Sequence, residues 1–200
     1  MRVLSLALAL TVQIPTPDLA QIQQWFEAGQ DEQVVQAAEG RAEPEVLYLA
    51  GLSHQKLERA NEARQIFEQL AGRPASDPWS HIGTAAALLV ESTPAAEVLV
   101  RARQSAGEAV ALEPTLTEAH YQLGRVYALQ RQYEQAAEAF DAAIEADRYF
   151  AYAHYFAGMS YRQIRRIDQM AIRFESFMKL APDAPERLRV EAMMRTVRGR

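Results

Sequence analysis

The sequence predicts an all-α protein in which antiparallel helix pairs stack into an α-solenoid. The first reason is an internal repeat, in which a set of aromatic, His and Gly residues recurs one fixed step later. The set is His120, Tyr121, Gly124, Tyr127 and Phe140, which returns 34 residues on as His154, Tyr155, Gly158, Tyr161 and Phe174. A period of this length is typical of stacked helical repeats. The second reason is composition, because Ala, Glu, Gln and Arg are frequent and favour helix.

The bulk composition fits a folded chain and narrows the classes of function. The chain has 200 residues, of which 49% are hydrophobic and 24% charged, and these values argue against disorder. A formal net charge of -5 gives no case for nucleic acid as a partner, which would favour a basic surface. Because the sequence has no cysteine, it offers no disulfide, no thiolate nucleophile and no cysteine-ligated metal site.

Residues 1–14 form an apolar N-terminal segment that has two interpretations. Arg2 precedes a run of about ten mostly apolar residues, which resembles a bacterial secretory signal, although no clean cleavage site follows. The run is too short to span a bilayer, which takes about 20 residues. As a signal peptide it predicts a periplasmic or secreted protein. As an apolar segment packed against the first helices it predicts a cytoplasmic one.

Residues 15–200 are predicted to form a single helical domain of five helix pairs and a cap. A degenerate first pair occupies residues 17–43, where Thr16 is expected to cap a helix that begins at Pro17. The next pairs are predicted at residues 44–75, 76–116, 117–150 and 151–184, and the capping helix at residues 184–198. The pair at 76–116 is longer by about seven residues. Thr115 and Glu118 predict a capping box where the following pair begins.

The marker residues resemble the tetratricopeptide repeat. That family has an aromatic residue, Leu-Gly and Tyr in its first helix, and Ala, Phe, Ala and a closing Pro around its second. The matches in residues 117–150 are Tyr121, Leu123, Gly124, Tyr127, Ala136, Phe140 and Ala143. Those in residues 151–184 are Tyr155, Gly158, Tyr161, Phe174 and Pro182, whereas Met170 and Phe177 replace two alanines. The resemblance implies a right-handed solenoid whose concave groove binds peptide segments, with no catalytic activity.

The first helix of the pair at 151–184 is predicted to be apolar on two faces. A core stripe at i, i+3, i+4 and i+7 consists of His154, Ala157, Gly158 and Tyr161. In the resembling family, the opposite face lines the groove, and equivalent positions occur in the other pairs. The groove candidates are Tyr48, His81, Tyr121, Gln122, Arg125, Tyr152, Tyr155, Phe156, Met159 and Arg162. Tyr and Arg are favoured interface anchors. The alternative is that these side chains pack against neighbouring repeats and are structural.

Neither catalysis nor metal binding is predicted. The four histidines are separated by 27, 39 and 34 residues, and none has a second His at helical spacing, so packed histidines are expected. The sequence contains no Gly-rich phosphate loop and no H-E-x-x-H or G-x-S-x-G motif. We therefore expect a protein that is not an enzyme and that carries no cofactor or metal.

The charge is distributed unevenly along the chain. Residues 162–200 contain ten Arg or Lys against five Asp or Glu, and the remainder contains 11 against 21. This asymmetry fits an acidic partner, an anionic membrane surface, head-to-tail self-association or a solvated capping helix. The leading hypothesis is a monomeric adaptor that binds a segment of another protein in its groove. The alternative hypothesis is a structural module that assembles into a homo-oligomer.

Overall fold

The computed structural model describes residues 16–91 and 93–198 as a stack of helices. Over these residues the chain forms eleven α-helices and no strand. They are α1 (Leu19–Glu27), α2 (Asp31–Ala38), α3 (Pro44–Lys56), α4 (Ala60–Ala71), α5 (Pro78–Leu88), α6 (Ala96–Leu112), α7 (Thr117–Leu129), α8 (Tyr133–Ala146), α9 (Ala151–Gln163), α10 (Ile167–Leu180) and α11 (Arg187–Arg198). Each helix packs against the next in the chain, and α11 covers α10. The predicted all-α solenoid with a C-terminal capping helix is confirmed.

The segment at residues 1–14 lies outside the described residues. It was expected to be a signal peptide or an apolar segment packed against the first helices. As for membrane crossing, no helix in the described ranges combines the length and the apolar character that a span needs.

Close contact between a glycine and a phenylalanine sets the spacing within three of the helix pairs. The contacts are Gly51 with Phe67, Gly124 with Phe140, and Gly158 with Phe174. A Cβ atom on Gly124 would lie 2.7 Å from the Phe140 ring, which is nearer than packed carbon atoms come. All three phenylalanines are fully buried. The missing side chain of each glycine therefore leaves the space that its partner ring fills.

The predicted start of the first helix is wrong. The helix begins at Leu19, and Asp18 caps it by accepting a hydrogen bond from the Gln21 N–H at 2.8 Å. Pro17 stays in the preceding loop, where its carbonyl accepts a hydrogen bond from the Arg41 guanidinium at 2.8 Å. Because the chain is held there, Thr16 lies too far before the helix to cap it.

The predicted capping box at the start of the fourth pair is also wrong. The helix α7 begins at Thr117, so that the capping position falls on Leu116, which has no side-chain acceptor. The Leu116 N–H instead donates to the Glu113 carbonyl in a tight turn. This turn shifts the helix start past Thr115. Glu118, the second residue of the predicted capping box, is partly buried.

The stack closes on itself, because α1 contacts the start of α9 and the segment before α11. The ring centroids of Phe26 and Tyr152 are 5.1 Å apart. The Glu27 carboxylate accepts a hydrogen bond from the Ala151 N–H at 3.4 Å, across 124 sequence positions. Gly29 lies against Pro185, whose Cδ would be 2.8 Å from a Cβ at position 29. The first helix pair therefore meets the last one, and α1 covers part of the concave side.

The glycine contacts predict opposite effects of two alanine substitutions. Gly83→Ala places a Cβ atom 2.5 Å from the Ala71 nitrogen and 2.7 Å from the Phe67 carbonyl oxygen. Since backbone atoms must then move, we expect a loss of about 1–3 kcal/mol in the free energy of unfolding. Gly107→Ala meets no atom within 4 Å and should gain about 1 kcal/mol from helix propensity. Urea denaturation measures both, and an equal change in the two variants would contradict this account of the packing.

Candidate functional site

A pocket of about 470 Å³ opens on the concave side of the stack. Its wall is formed by α1, α3, the loop after α5, α7 and α9, and it is largely apolar. The lining residues are Phe26, Leu52, Gln55, Lys56, Leu89, Val90, Glu91, Tyr121, Arg125, Ala128, Leu129, Tyr152, Phe156 and Glu186. A volume of this size and a mostly apolar lining with a few polar groups are typical of ligand pockets.

Arg125 is the cation on one side of the pocket, and two hydrogen bonds hold it in place. It donates to Gln122 Oε1 at 3.2 Å and to Gln55 Oε1 at 3.0 Å, which ties α7 to α3. Gln122 is fully buried and also accepts a hydrogen bond from the Tyr48 hydroxyl at 2.9 Å. A guanidinium has five N–H donors, so a positioned Arg125 keeps donors for a group that enters the pocket.

Lys56 and Tyr152 form the opposite side of the pocket, at the closure between the first and last helix pairs. Lys56 Nζ donates to the Tyr152 hydroxyl at 2.9 Å and forms an ion pair with Asp31 at 3.4 Å. It also lies 4.6 Å from the ring centroid of Phe26, an arrangement that attracts a cation to the ring. The Tyr152 hydroxyl donates to Glu186 at 2.9 Å. Burial and the Glu186 carboxylate raise the pKa of Tyr152, so its hydroxyl stays protonated and keeps this bond.

The aromatic residues of α7 and α9 pack against one another. The Tyr121 ring lies 4.9 Å from the Phe150 ring and 5.8 Å from the Phe156 ring, measured between centroids. The Tyr155 ring lies 5.0 Å from the Phe156 ring and 5.2 Å from the Phe177 ring. The apolar second face of α9 is therefore covered within the chain itself.

The structure brings four of the ten groove candidates to the pocket and places the others elsewhere. The four are Tyr121, Arg125, Tyr152 and Phe156. Tyr48 and Tyr155 lie in the core and do not line the pocket, whereas Tyr121 and Tyr152 reach it although each is only 3% exposed. Gln122 is also buried, Met159 is partly buried, and Arg162 is exposed on the surface. The last candidate, His81, contacts the outer helix of its own pair.

The histidines tie loops to helices in a repeated way. His81 Nε2 lies 2.8 Å from the Ala75 carbonyl oxygen, and His81 Nδ1 lies 3.0 Å from Glu108 on α6. His120 and His154 contact the carbonyls of Pro114 and Arg148 in the same way, each six residues back. Burial lowers the pKa of His154, which keeps it neutral. Within the described ranges, no three or more His, Asp and Glu residues are grouped so that they could hold a metal ion.

The sequence reasoning missed Gln55 and Lys56, which are central to the pocket. Both lie one helical turn after Leu52, which occupies an equivalent groove position in α3, so extending that stripe by three and four residues would have found them. It also missed Phe26 and Glu186, which reach the pocket from the two ends of the array. No local spacing in the sequence predicts Phe26 and Glu186, because only the closure of the stack brings them to the pocket.

A second, smaller crevice holds a buried carboxyl group. Glu118 lines it together with Glu45, Tyr48 and Asp147, and its volume is about 180 Å³. Burial, together with the carboxylates of Glu45 and Asp147, raises the pKa of Glu118 to about 7. This carboxyl group is therefore neutral in acid and becomes a buried negative charge above neutral pH.

Replacing Glu118 should make the chain less sensitive to alkaline pH. Because the pKa is about 7 in the folded chain against 4.5 for an ordinary Glu, folding loses stability as the pH rises from 4.5 through 7. Glu118→Gln stays neutral, so at about pH 8 it should be more stable than the wild type, by at most about 3 kcal/mol. The two proteins should be equally stable at about pH 4, where both side chains are neutral.

Urea denaturation at the two pH values gives this difference in the free energy of unfolding. Glu138→Gln, at an exposed position of α8, is the matched control and should change stability little at either pH. A Glu118→Gln variant with no advantage at alkaline pH would show that this carboxyl is not buried as described.

Comparison with known families agrees with this architecture. Residues 45–76 and residues 117–150 each match a family model described as tetratricopeptide repeat. The chain therefore contains tetratricopeptide repeats (TPRs). No curated protein matches its sequence.

Solved TPR structures share the fold over most of the chain. A thermophilic TPR protein of Thermus thermophilus superposes with a TM-score of 0.64 at 20% sequence identity, covering 88% of this chain and 96% of that one. YrrB, described as a TPR protein with an unusual peptide-binding site, superposes with a TM-score of 0.53 at 22% identity, covering 87% and 90%. At this level of identity the likeness shows the fold alone.

Proposed function

We propose that the chain is a non-enzymatic protein-interaction scaffold whose concave pocket binds a short segment of another protein. The observation that carries this proposal is the pocket of about 470 Å³, in which Arg125 faces an aromatic and aliphatic wall. Aromatic residues and Arg are the side chains that most often dominate binding at protein interfaces. Binding of segments by stacked helical repeats on their concave surface supports the same function.

The pocket favours a short segment over a long extended one. The closure formed by Phe26, Lys56 and Tyr152 ends the groove on one side, so an extended chain has no continuous path along the concave face. A segment that fits inserts an apolar side chain against Leu89 and Phe156. It then presents a carbonyl or carboxylate oxygen to Arg125, because a guanidinium only donates hydrogen bonds.

Self-assembly is a second candidate, through the capping helix instead of α9. Leu188 on α11 is 75% exposed, and Ala192 and Arg195, four and seven residues later on the same side of the helix, are exposed with it. This partly apolar, cationic face fits the acidic remainder of a second copy. Sedimentation velocity distinguishes the two functions, because a monomer at all concentrations removes this candidate.

Peptides selected against the chain should bind through the pocket. Short peptides displayed on phage are selected on the whole protein, and the binding constants of synthetic copies are measured by calorimetry. Arg125→Leu should weaken binding by about 10- to 100-fold, since a hydrogen bond to a charged group is lost. Ala128→Leu should weaken it too, because the added methyl groups enter the pocket without removing a polar contact.

Arg162→Ala is the control, because Arg162 is an exposed groove candidate outside the pocket. It should leave the binding constant unchanged. Circular dichroism checks that each variant stays folded, which matters for Arg125 because it joins α3 to α7. Peptides that bind both pocket variants as tightly as the wild type would contradict the pocket as the binding site.

Export of the protein is a separate proposal, which rests on the apolar segment at residues 1–14. Mass spectrometry of the natural protein determines its mature N-terminus. Loss of the first residues up to the region of Pro15 is expected for an exported protein. A natural protein that keeps the whole segment would contradict export by a cleaved signal peptide.

A further inference from the structure

The helix α1 packs on α2 and α3, touches the start of α9 through Phe26, and supplies one wall of the pocket. Phe26 contributes both its ring, against Tyr152, and its carbonyl, which accepts a hydrogen bond from Lys56 at 3.4 Å. We propose that α1 is a releasable cover, which undocks as a unit from α2 and α3, on which it packs, and from α9 and the segment before α11, and thereby widens the pocket. This inference concerns the chain without a ligand, so it goes beyond the proposed binding function and can be tested independently of it.

Few side chains hold α1 in place. Of its nine residues, only Ile22 and Phe26 are buried, whereas nine residues of α9 are. Isolated helices shorter than about 12 residues are marginal in water, so α1 is helical because it is docked. Undocking should therefore expose its backbone amides to solvent, and this is directly measurable.

The contact of α1 with the start of α9 and the segment before α11, called the seam below, contains the Glu27 carboxyl, whose ionised form is disfavoured by burial. The Glu27 carboxyl accepts the Ala151 N–H at 3.4 Å, close to Asp147. A crevice on the same side of α1 is lined by Glu27 together with Lys179 of α10 and Asp183 of the following loop. When Glu27 is ionised, its charge is partly buried and lies near the Asp147 carboxylate, and release into water removes that penalty.

The direction of the pH dependence follows from this burial. Burial raises the pKa of Glu27 to about 7 from 4.5. Docking is therefore most favourable below pH 4.5, where Glu27 is neutral in both states, and it weakens as the pH rises through 7. With these two pKa values, the equilibrium constant for docking falls by about tenfold between about pH 6 and pH 8.

Hydrogen exchange of the full chain, measured by mass spectrometry, tests the proposal. After correction for intrinsic exchange rates, the protection of amides in α1 should fall by about tenfold from pH 6 to pH 8. Amides in α6, which packs on α5 and α7 and away from the seam, should keep their protection. A constant protection of α1, or a loss in step with α6, overturns the proposal.

Two variants isolate the seam. Glu118 has a similarly raised pKa and lines a crevice with Leu19 and Gln23 of α1, so the variants are compared in a Glu118→Gln background. There, Glu27→Gln keeps an acceptor for the Ala151 N–H but cannot ionise, and the pH-dependent loss in α1 should disappear. Glu39→Gln, at an exposed position just after α2, should behave as the Glu118→Gln protein. A Glu27→Gln variant that loses protection as the Glu118→Gln protein does would also overturn the proposal.

A disulfide across the seam provides a second test, because the natural chain has no cysteine. Gly29→Cys with Pro185→Cys places two thiols where the chains are in contact. Gly29 has a φ of +70°, so Cys there is strained, and the reduced form of the same variant is the matched control. The oxidised form should keep α1 protected at pH 8 and the reduced form should not. Equal exchange in both forms would show that α1 does not undock by opening this seam.

Discussion

The close approach of a glycine to a phenylalanine ring is the contact on which the rest of the structure depends. At Gly124 and Gly158 the absence of a Cβ atom lets the rings of Phe140 and Phe174 lie against the backbone of the first helix. This contact sets the distance between the two helices of a pair. Because each pair then packs on the next, the spacing within the pairs determines how the array curves.

The curvature brings the two ends of the array together, and this changes what the concave side can do. Once Phe26 reaches Tyr152, the groove that an open stack would present becomes a pocket with a closed side. Lys56 stabilises the closure from three directions, through Asp31, through the Tyr152 hydroxyl and over the Phe26 ring. The same closure partly buries the Glu27 carboxyl, and this burial raises its pKa.

The aromatic residues of α9 show how one segment serves both the fold and the site. Phe177 stands where the repeat pattern has a small alanine, and its ring lies 5.2 Å from that of Tyr155. The large residue therefore fills the space behind the tyrosine and holds it in the core. Tyr152 and Phe156, on the side towards α1, remain at the pocket. The aromatic residues of the last helix pair thus form the wall that Phe26 of α1 meets.

The sequence by itself determined the helix pairs, because the residues that build each pair are close along the chain and recur with a fixed period. Gly124 with Phe140, and Gly158 with Phe174, were readable in this way, and so was the role of the histidines as packed residues. Only the tertiary structure decided that Tyr48 and Tyr155 lie in the core while Arg125 and Tyr152 line a pocket. That division depends on contacts such as Glu27 with Ala151, 124 positions apart. No local period encodes such a contact, because it follows from the accumulated rotation of every pair between them.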